Sequence, residues 1–319
     1  MALGTPLNKI LTTDLNDYLY NDEDFITGNA LFDSQGSSKH RVEINESQEQ
    51  PKITENHTVF PLKIHSTEDS NKHYDIDTLR SEPTFIEDVD EILTVFNKRG
   101  NELKKHTSSM RVQYLAKIAN TWAREDVAAD ITSGHIIKTT GAASDVLNGD
   151  MSGTRKIMTR KDWIRAKARF AKDKVSTKGL VALVDTAMYY NIYEMSEFIQ
   201  YQLVGKVDPV VGGGAIGELF GIRIFVKNGV PTYNKLYSAL NSHLDSDGEV
   251  YTPAADDNLA IMIWNPSYVR YSLGNEKVYS EEGSATMQGS IFSTRMRCGG
   301  MRSRIDNKGV VMIVQEWVS

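Results

Sequence analysis

Hydrophobic positions are spread very unevenly along this chain. Within residues 33–58 the only aliphatic residues are Val42, Ile44 and Ile53, and there is no Phe, Tyr or Trp. Such a segment buries too little apolar surface to offset the entropy lost when its backbone is ordered. We therefore expect an extended arm that needs a neighbouring surface, and a globular part that folds without residues 1–55. Upstream of it, one short helix is predicted by the spacing of Leu7, Ile10, Leu11 and Leu15.

Two strands are predicted directly after the arm, at 59–64 and 73–79, joined by a polar turn at 66–72. The second places Tyr74, Ile76 and Thr78 on one face, with the two-residue period of a half-buried strand. Because an isolated two-stranded hairpin is marginally stable in water, we expect this one to lean on another surface.

A long amphipathic helix is predicted from Pro83 to Trp122. Its apolar residues recur at helical spacings: Phe85, Val89, Ile92, Phe96, Leu103, Met110, Tyr114, Ile118 and Trp122. Proline is tolerated at the start of a helix, and acidic residues precede basic ones along this segment, as the helix dipole favours. Gly100 and Asn101 are the expected position of a bend.

Shorter elements are predicted beyond residue 131. Helices are expected at 160–172, after Thr159, and around Met188 to Tyr193. Strands are expected at 180–184, 222–226, 259–264, 269–271 and 310–316. Helices and strands do not alternate regularly, so the pattern indicates an α+β fold.

Composition narrows the functional classes. The net charge of −6 argues against a protein that grips nucleic acid through phosphate contacts, although an acidic surface can lie beside DNA without binding it. No run of eighteen apolar residues and no secretory signal is seen, which predicts a protein made in the cytosol with no membrane contact. The single Cys298 can form neither an internal disulfide nor a multi-cysteine metal site.

No catalytic motif is present, and we expect no enzyme activity, cofactor or metal. Gly212, Gly214 and Gly217 match G-x-G-x-x-G, but the residues that follow alternate like a strand, whereas a dinucleotide site needs a helix there. A glycine loop is the favoured interpretation, and a dinucleotide-binding enzyme is the less favoured alternative. Surface positions are also favoured over metal sites for two further groups: Asp245, Asp247 and Glu249; His57, His65 and His73.

One basic cluster surrounds Cys298, comprising Arg295, Arg297, Arg302, Arg304 and Lys308. Alternate arginines on a strand share one face, where they could pair with acidic groups of another subunit or touch phosphate. The alternative is a solvated face paired with local carboxylates such as Asp306. We favour subunit contact.

Several segments resemble the major capsid proteins of tailed bacteriophages with the Hong Kong phage-type fold. The similar stretches are 217–228, 260–266 and 299–306, preceded by 155–159 with its helix and by 180–189. The resemblance implies an N-terminal arm at 1–54 and an extended hairpin loop at 55–82. It further implies a peripheral domain with a spine helix at 83–177, an axial domain at 178–270, and a return to the peripheral domain at 271–319.

The resemblance also implies a function. Copies of the chain would form pentamers and hexamers of an icosahedral shell around double-stranded DNA, in a virion made in the bacterial cytoplasm, with portal, scaffold and decoration proteins as partners. Candidate subunit contacts are Arg295, Arg297, Arg302, Arg304, Lys72, Phe60 and Tyr74, and the candidate axial loop contains Gly212, Gly213 and Gly214. Some family members cross-link a hairpin lysine to a neighbour's asparagine, and Lys72 alone suits that position, without an assignable partner. An encapsulin-like cellular nanocompartment and a monomeric binding module are the alternatives.

Overall fold

The computed structural model describes residues 25–34, 40–47, 53, 55–56, 58, 69–87, 98–145, 153–193, 215–227, 231–281, 288–304 and 306–318. The helices are α1 (Lys98–Trp122), α2 (Val127–Ser133), α3 (Arg160–Lys172) and α4 (Thr186–Tyr193). The strands are β1 (Leu31–Phe32), β2 (Arg41–Ser47), β3 (Asp69–Asp75), β4 (Asp77–Arg80), β5 (Thr84–Glu87), β6 (Ile136–Lys138), β7 (Ala143–Asp145), β8 (Thr154–Lys156), β9 (Leu180–Val184), β10 (Ala215–Leu219), β11 (Ile222–Val226), β12 (Thr232–Tyr233), β13 (Asn258–Trp264), β14 (Val269–Glu281), β15 (Gly289–Arg302) and β16 (Val310–Val314). This is the α+β architecture that the sequence predicted.

The larger sheet has seven strands in the order β10, β11, β9, β13, β16, β6, with β12 paired to β13. Strand β9 runs parallel to β11, and β13 runs antiparallel to both β9 and β16. Every residue of β9, β13 and β16 is buried, because helices and loops cover both faces. This explains their almost continuous apolar sequences.

Successive residues of these strands enter two different cores. Val181, Leu183 and Trp264 pack into the core that contains α1, whereas Ala182 and Ile263 pack into the core that contains α3 and α4. Since side chains alternate across a strand, one sheet separates the two cores.

The second sheet places the strands β1, β14, β15 and β4 side by side, with β5 also paired to β15. Its inner face packs on α1, where the Thr294 hydroxyl contacts Met110 Sδ at 2.7 Å. The β14–β15 hairpin is much longer than the predicted strand at 269–271.

Helix α3 shows how local chemistry sets a boundary. Asp162 Oδ2 accepts hydrogen bonds from the Thr159 backbone amide at 3.0 Å and the Thr159 hydroxyl at 2.9 Å. This capping box starts the helix at Arg160, the predicted position. The predicted bounds of β9, β11 and β13 are confirmed to within one residue, and the helix predicted around Met188 to Tyr193 is α4.

The predicted start of the long helix is wrong. Residues Thr84–Glu87 form strand β5, and Phe85 lies opposite Ile291 of β15 with 45% of its surface exposed. Pairing with β15 supplies hydrogen bonds to the backbone of this segment. The helical spacing of its apolar residues could not reveal that pairing. The described helix begins at Lys98 and therefore includes Gly100, while residues 88–97 lie outside the described part. Leu103, Met110, Tyr114, Ile118 and Trp122 are buried as predicted.

The hairpin also differs from the prediction. Strand β3 begins at Asp69, inside the expected turn, and its partner is β2 in the expected arm. The predicted strand at 59–64 lies outside the described residues, as does the predicted helix near Leu7. Tyr74 and Ile76 are buried as expected, but Thr78 is exposed.

Strands β6 and β16 lie in the same sheet as β9 and β13. Buried Arg124 links α2 to β16 by donating to Asp130 Oδ1 at 2.9 Å and to the Val310 carbonyl at 2.8 Å. Burial lowers the pKa of Arg124 to about 10. None of the helices within the described ranges is long and apolar enough to cross a membrane.

Candidate subunit-contact surface

The segment 25–34 is anchored in the core of its own chain. Phe25 and Ile26 are 1% and 0% exposed, and the Phe25 ring lies edge-on to Trp122 and Trp264 at centroid distances of 6.3 and 6.0 Å. The Trp264 indole donates to the Asn29 carbonyl at 2.8 Å. The expectation that residues 1–55 are dispensable for folding is therefore corrected, because part of this stretch fills the main core.

Asp33 joins this segment to the hairpin and to the second sheet. Its carboxylate accepts from Arg270 at 2.7 Å and from the Tyr74 hydroxyl at 2.9 Å, while its carbonyl accepts from the Ser272 hydroxyl at 2.9 Å. Burial and the Asp33 charge raise the pKa of Tyr74, so the phenol remains a proton donor. Tyr74 thus makes a contact within its own chain, and its role in subunit contact stays a prediction.

Lys72 anchors the hairpin at a second point. Its ammonium donates to the Arg302 and Arg304 carbonyls at 3.1 and 3.0 Å and to Asn307 Oδ1 at 3.2 Å. Close packing supports these bonds, since a Cβ at Gly299 would lie 2.7 Å from the Asp75 carbonyl oxygen. The hairpin therefore leans on the end of β15, as its small apolar content required.

The basic cluster divides into two groups. Arg302 donates to the Ala123 carbonyl and Arg304 pairs with Asp306 at 3.1 Å, so both serve intramolecular contacts. Lys308 also pairs with Asp306, at 3.1 Å. These contacts lie within one chain, and the subunit contacts of Arg302 and Arg304 stay predictions.

Arg295 and Arg297 lie on the other face of β15. They alternate with buried Thr294, Met296 and Cys298, which confirms that the two guanidinium groups share the face turned away from α1. The Arg297 guanidinium lies 3.3 Å from His40 Nδ1, and that of Arg295 lies 5.8 Å from the centroid of the Tyr279 ring.

Strand register brings two further cations to this face. Arg80 of β4 and Lys277 of β14 both lie directly opposite Arg295, one on each side. We call these three residues the cation row. Directly opposed residues of neighbouring strands project from the same face, so the row places three positive charges side by side. Sequence reasoning missed Arg80 and Lys277 because only the pairing register reveals their alignment.

The cation row has no counter-charge in the described part of the chain. No ion pair involves Arg80, Lys277 or Arg295 there, and Arg295 Nε is buried without a hydrogen-bond partner. The adjoining rows on this face supply Tyr279 with Ser293 on one side and Thr78 with Arg297 on the other. Like charges directly opposite one another destabilise a sheet, which makes this arrangement costly for an isolated chain.

The remaining predicted site residues fall into two groups. Phe60, Gly212, Gly213 and Gly214 lie outside the described residues. Gly217 lies within β10, and the chain continues into β11 and not into a helix, as the sequence predicted, so the glycine motif lacks the element that would hold a pyrophosphate.

In the turn at 245–249, the Asp245 carboxylate bonds to backbone amides of the same turn. Asp245 Oδ1 accepts from the Asp247 and Glu249 amides, both at 3.0 Å, as expected for a surface turn. Among residues that the structure describes, no group of three or more His, Cys, Asp or Glu side chains is arranged to hold a metal ion.

Comparison with known proteins gives similarity in structure only. No protein-family model matches the sequence, and no curated protein sequence matches it. The capsid of cyanophage P-SCSP1u aligns over 94% of this chain and 89% of its own, with a TM-score of 0.60 and 15% identity. A Mycobacterium phage Che8 structure aligns over 92% of both chains, with a TM-score of 0.58 and 14% identity.

A third match is the capsid of Ralstonia phage GP4, which covers 92% of this chain and 88% of its own, with a TM-score of 0.59 and 11% identity. In all three matches the likeness extends over nearly the whole of each chain. The chain therefore has the Hong Kong phage-type fold that its sequence motifs suggested.

Proposed function

We propose that this protein is the major capsid protein of a tailed bacteriophage. In this proposal, copies form pentamers and hexamers that close into an icosahedral shell around double-stranded DNA. The observation that carries the proposal is the shared fold, which spans more than nine-tenths of this chain in the matched phage capsid structures. Heterologous contacts that close into rings are the physical basis of such assembly.

The hairpin supports this proposal by its composition. Strands β2 and β3 contribute only Val42, Ile44 and Tyr74 to apolar packing, with Ile76 and Met301 completing that small cluster. An element with so few apolar contacts stabilises its own chain weakly, so its length is better explained by contact with a neighbouring copy. The proposed roles of hairpin loop for 55–82 and axial domain for 178–270 follow the same family pattern.

The proposed setting is a virion assembled in the bacterial cytoplasm. Portal, scaffold and decoration proteins are the expected additional partners, and DNA is enclosed without sequence-specific contact. The net charge of −6 is consistent with a shell that encloses DNA without binding it tightly. No catalytic role is assigned to any residue.

Expression of the full chain followed by light scattering and electron microscopy tests the proposal. Closed megadalton particles built of five- and six-membered rings are expected. A single 35.7 kDa species at all concentrations would refute shell assembly. Particles made together with the phage packaging proteins should protect DNA from nuclease, whereas particles that enclose a protein cargo would indicate an encapsulin-like compartment.

A further inference from the structure

We propose that the cation row binds the acidic turn at 245–249 of a second copy of this chain. The inference rests on the proposed shell function and identifies one contact within it. The row consists of Arg80, Arg295 and Lys277 on the outer face of the second sheet. The turn presents Asp247 and Glu249, whose side chains are exposed.

Both surfaces carry uncompensated charge. The described part of the chain contains no ion pair to the cation row and none to Asp247 or Glu249. Three aligned cations repel one another, and a facing pair of carboxylates would convert that repulsion into charge-assisted hydrogen bonds. Arg295 has the most to gain, because its Nε is already removed from water without a partner.

The two surfaces belong to different parts of the fold. The Gly248 carbonyl accepts from Gln113 Nε2 at 3.2 Å, which places the turn beside α1. The cation row faces away from α1, since Thr294 on the other face of β15 is the residue that contacts Met110. Because the two surfaces differ, a contact between the row of one copy and the turn of the next is heterologous, which is the kind of contact that a closed ring requires.

The turn is also shaped for this contact. Asp245 holds the backbone by accepting from two amides, and Gly248 takes a positive φ of 82° to close the turn. Asp247 and Glu249 are thus presented on ordered backbone, which lowers the entropy cost of binding. The aromatic ring of Tyr279 beside Arg295 offers an apolar border to the contact.

Charge reversal on the full chain tests the contact. The double variant K277E/R295E should lower the yield of particles at least tenfold while the chain remains folded by circular dichroism. The reciprocal variant D247K/E249K should lower it similarly, and the quadruple variant should restore it to near the original level. The matched control K161E/K178E makes the same change in net charge at two exposed lysines outside both surfaces, and should assemble normally.

Each other outcome overturns the assignment. Normal particle yield from K277E/R295E refutes the contact while leaving shell assembly intact, as does failure of the quadruple variant to recover. Normal yield with reduced nuclease-protected DNA would show instead that the row contacts DNA. If the original chain forms no particles, the proposed function fails, and sedimentation then decides the contact: low-salt self-association that K277E/R295E abolishes supports it, and its absence refutes it.

Discussion

Strands β9 and β3 show two different ways of holding a strand in this protein. Strand β9 is apolar throughout and buried on both faces of the seven-stranded sheet. Strand β3 is polar, and the β2–β3 hairpin is attached through Lys72 and Tyr74. Strand β9 cannot leave its buried position unless the sheet unfolds. The few hydrogen bonds that hold the hairpin can be replaced by equivalent bonds to another surface. The difference predicts that the β2–β3 hairpin can detach while the rest of the chain stays folded.

The largest expected effect comes from a substitution in segment 25–34, which belongs to the stable core although it precedes the hairpin in sequence. Phe25→Ala should lower the free energy of unfolding by about 3 to 5 kcal/mol, since it opens a cavity between Trp122 and Trp264. Phe32→Ala is the control, because Phe32 is 53% exposed and should cost under about 1 kcal/mol. Urea unfolding measures both. Equally small effects of the two substitutions would show that Phe25 does not fill the main core.

Detaching the hairpin should have a smaller and local effect. Lys72→Met removes three hydrogen bonds from a charged donor to the end of β15 and to the residues that follow it, which should cost about 2 to 3 kcal/mol. Hydrogen exchange should become faster in β2 and β3 while protection of β9 is unchanged. His73→Ala changes the exposed neighbour of Lys72 and serves as the control. Lost protection throughout the chain would contradict independent attachment of the hairpin.

A partly buried carboxyl group in the second sheet should make stability depend on pH. Burial raises the pKa of Glu276 to about 7, and Glu276 Oε2 is buried with no hydrogen-bond partner among the described residues. Since the folded state favours the protonated form, the stabilisation is complete below the ordinary carboxyl pKa and is lost as the pH rises through about 7. The free energy of unfolding should therefore fall between pH 5 and pH 8.

Glu276→Gln isolates this effect. The variant should be about 1 to 2 kcal/mol more stable than the original chain at pH 8, allowing for partial solvent access, and nearly equal to it at pH 5. Urea unfolding at the two pH values provides the measurement. An identical pH dependence in both proteins would mean that another group is responsible.

Predictability from sequence follows the same contrast. The bounds of α3 and the positions of β9, β11 and β13 were predictable because a capping box and apolar runs are local signals. Strand β2 was not, since its sequence is polar and only pairing with β3 makes it a strand. The residues of β5 fitted a helical spacing, and hydrogen bonding to the distant β15 decided their state. Tertiary pairing, which one sequence does not display, sets such elements.

The candidate surface was predictable only in part for a related reason. Arg295 and Arg297 could be assigned to one face because alternation within a strand needs no partner. Arg80 and Lys277 lie far from Arg295 in sequence, and their alignment depends on the register of three strands. Conversely, Arg302 and Arg304 looked equivalent to their neighbours until the fold placed the Ala123 carbonyl and Asp306 beside them.

The smallest expected effect on folding is also a stabilising one. Arg295→Glu places a carboxylate between Arg80 and Lys277, so it should raise the free energy of unfolding of the single chain by about 0.2 to 1 kcal/mol. Arg297→Glu, in the adjoining row opposite Thr78 and Gly274, is the matched control and should give no such gain. Chemical denaturation of unassembled chain measures the difference. If the free energy of unfolding rises in Arg295→Glu, the cation row destabilises its own sheet and its benefit must lie outside the single chain. If the free energy of unfolding falls, the three cations are already compensated within the chain.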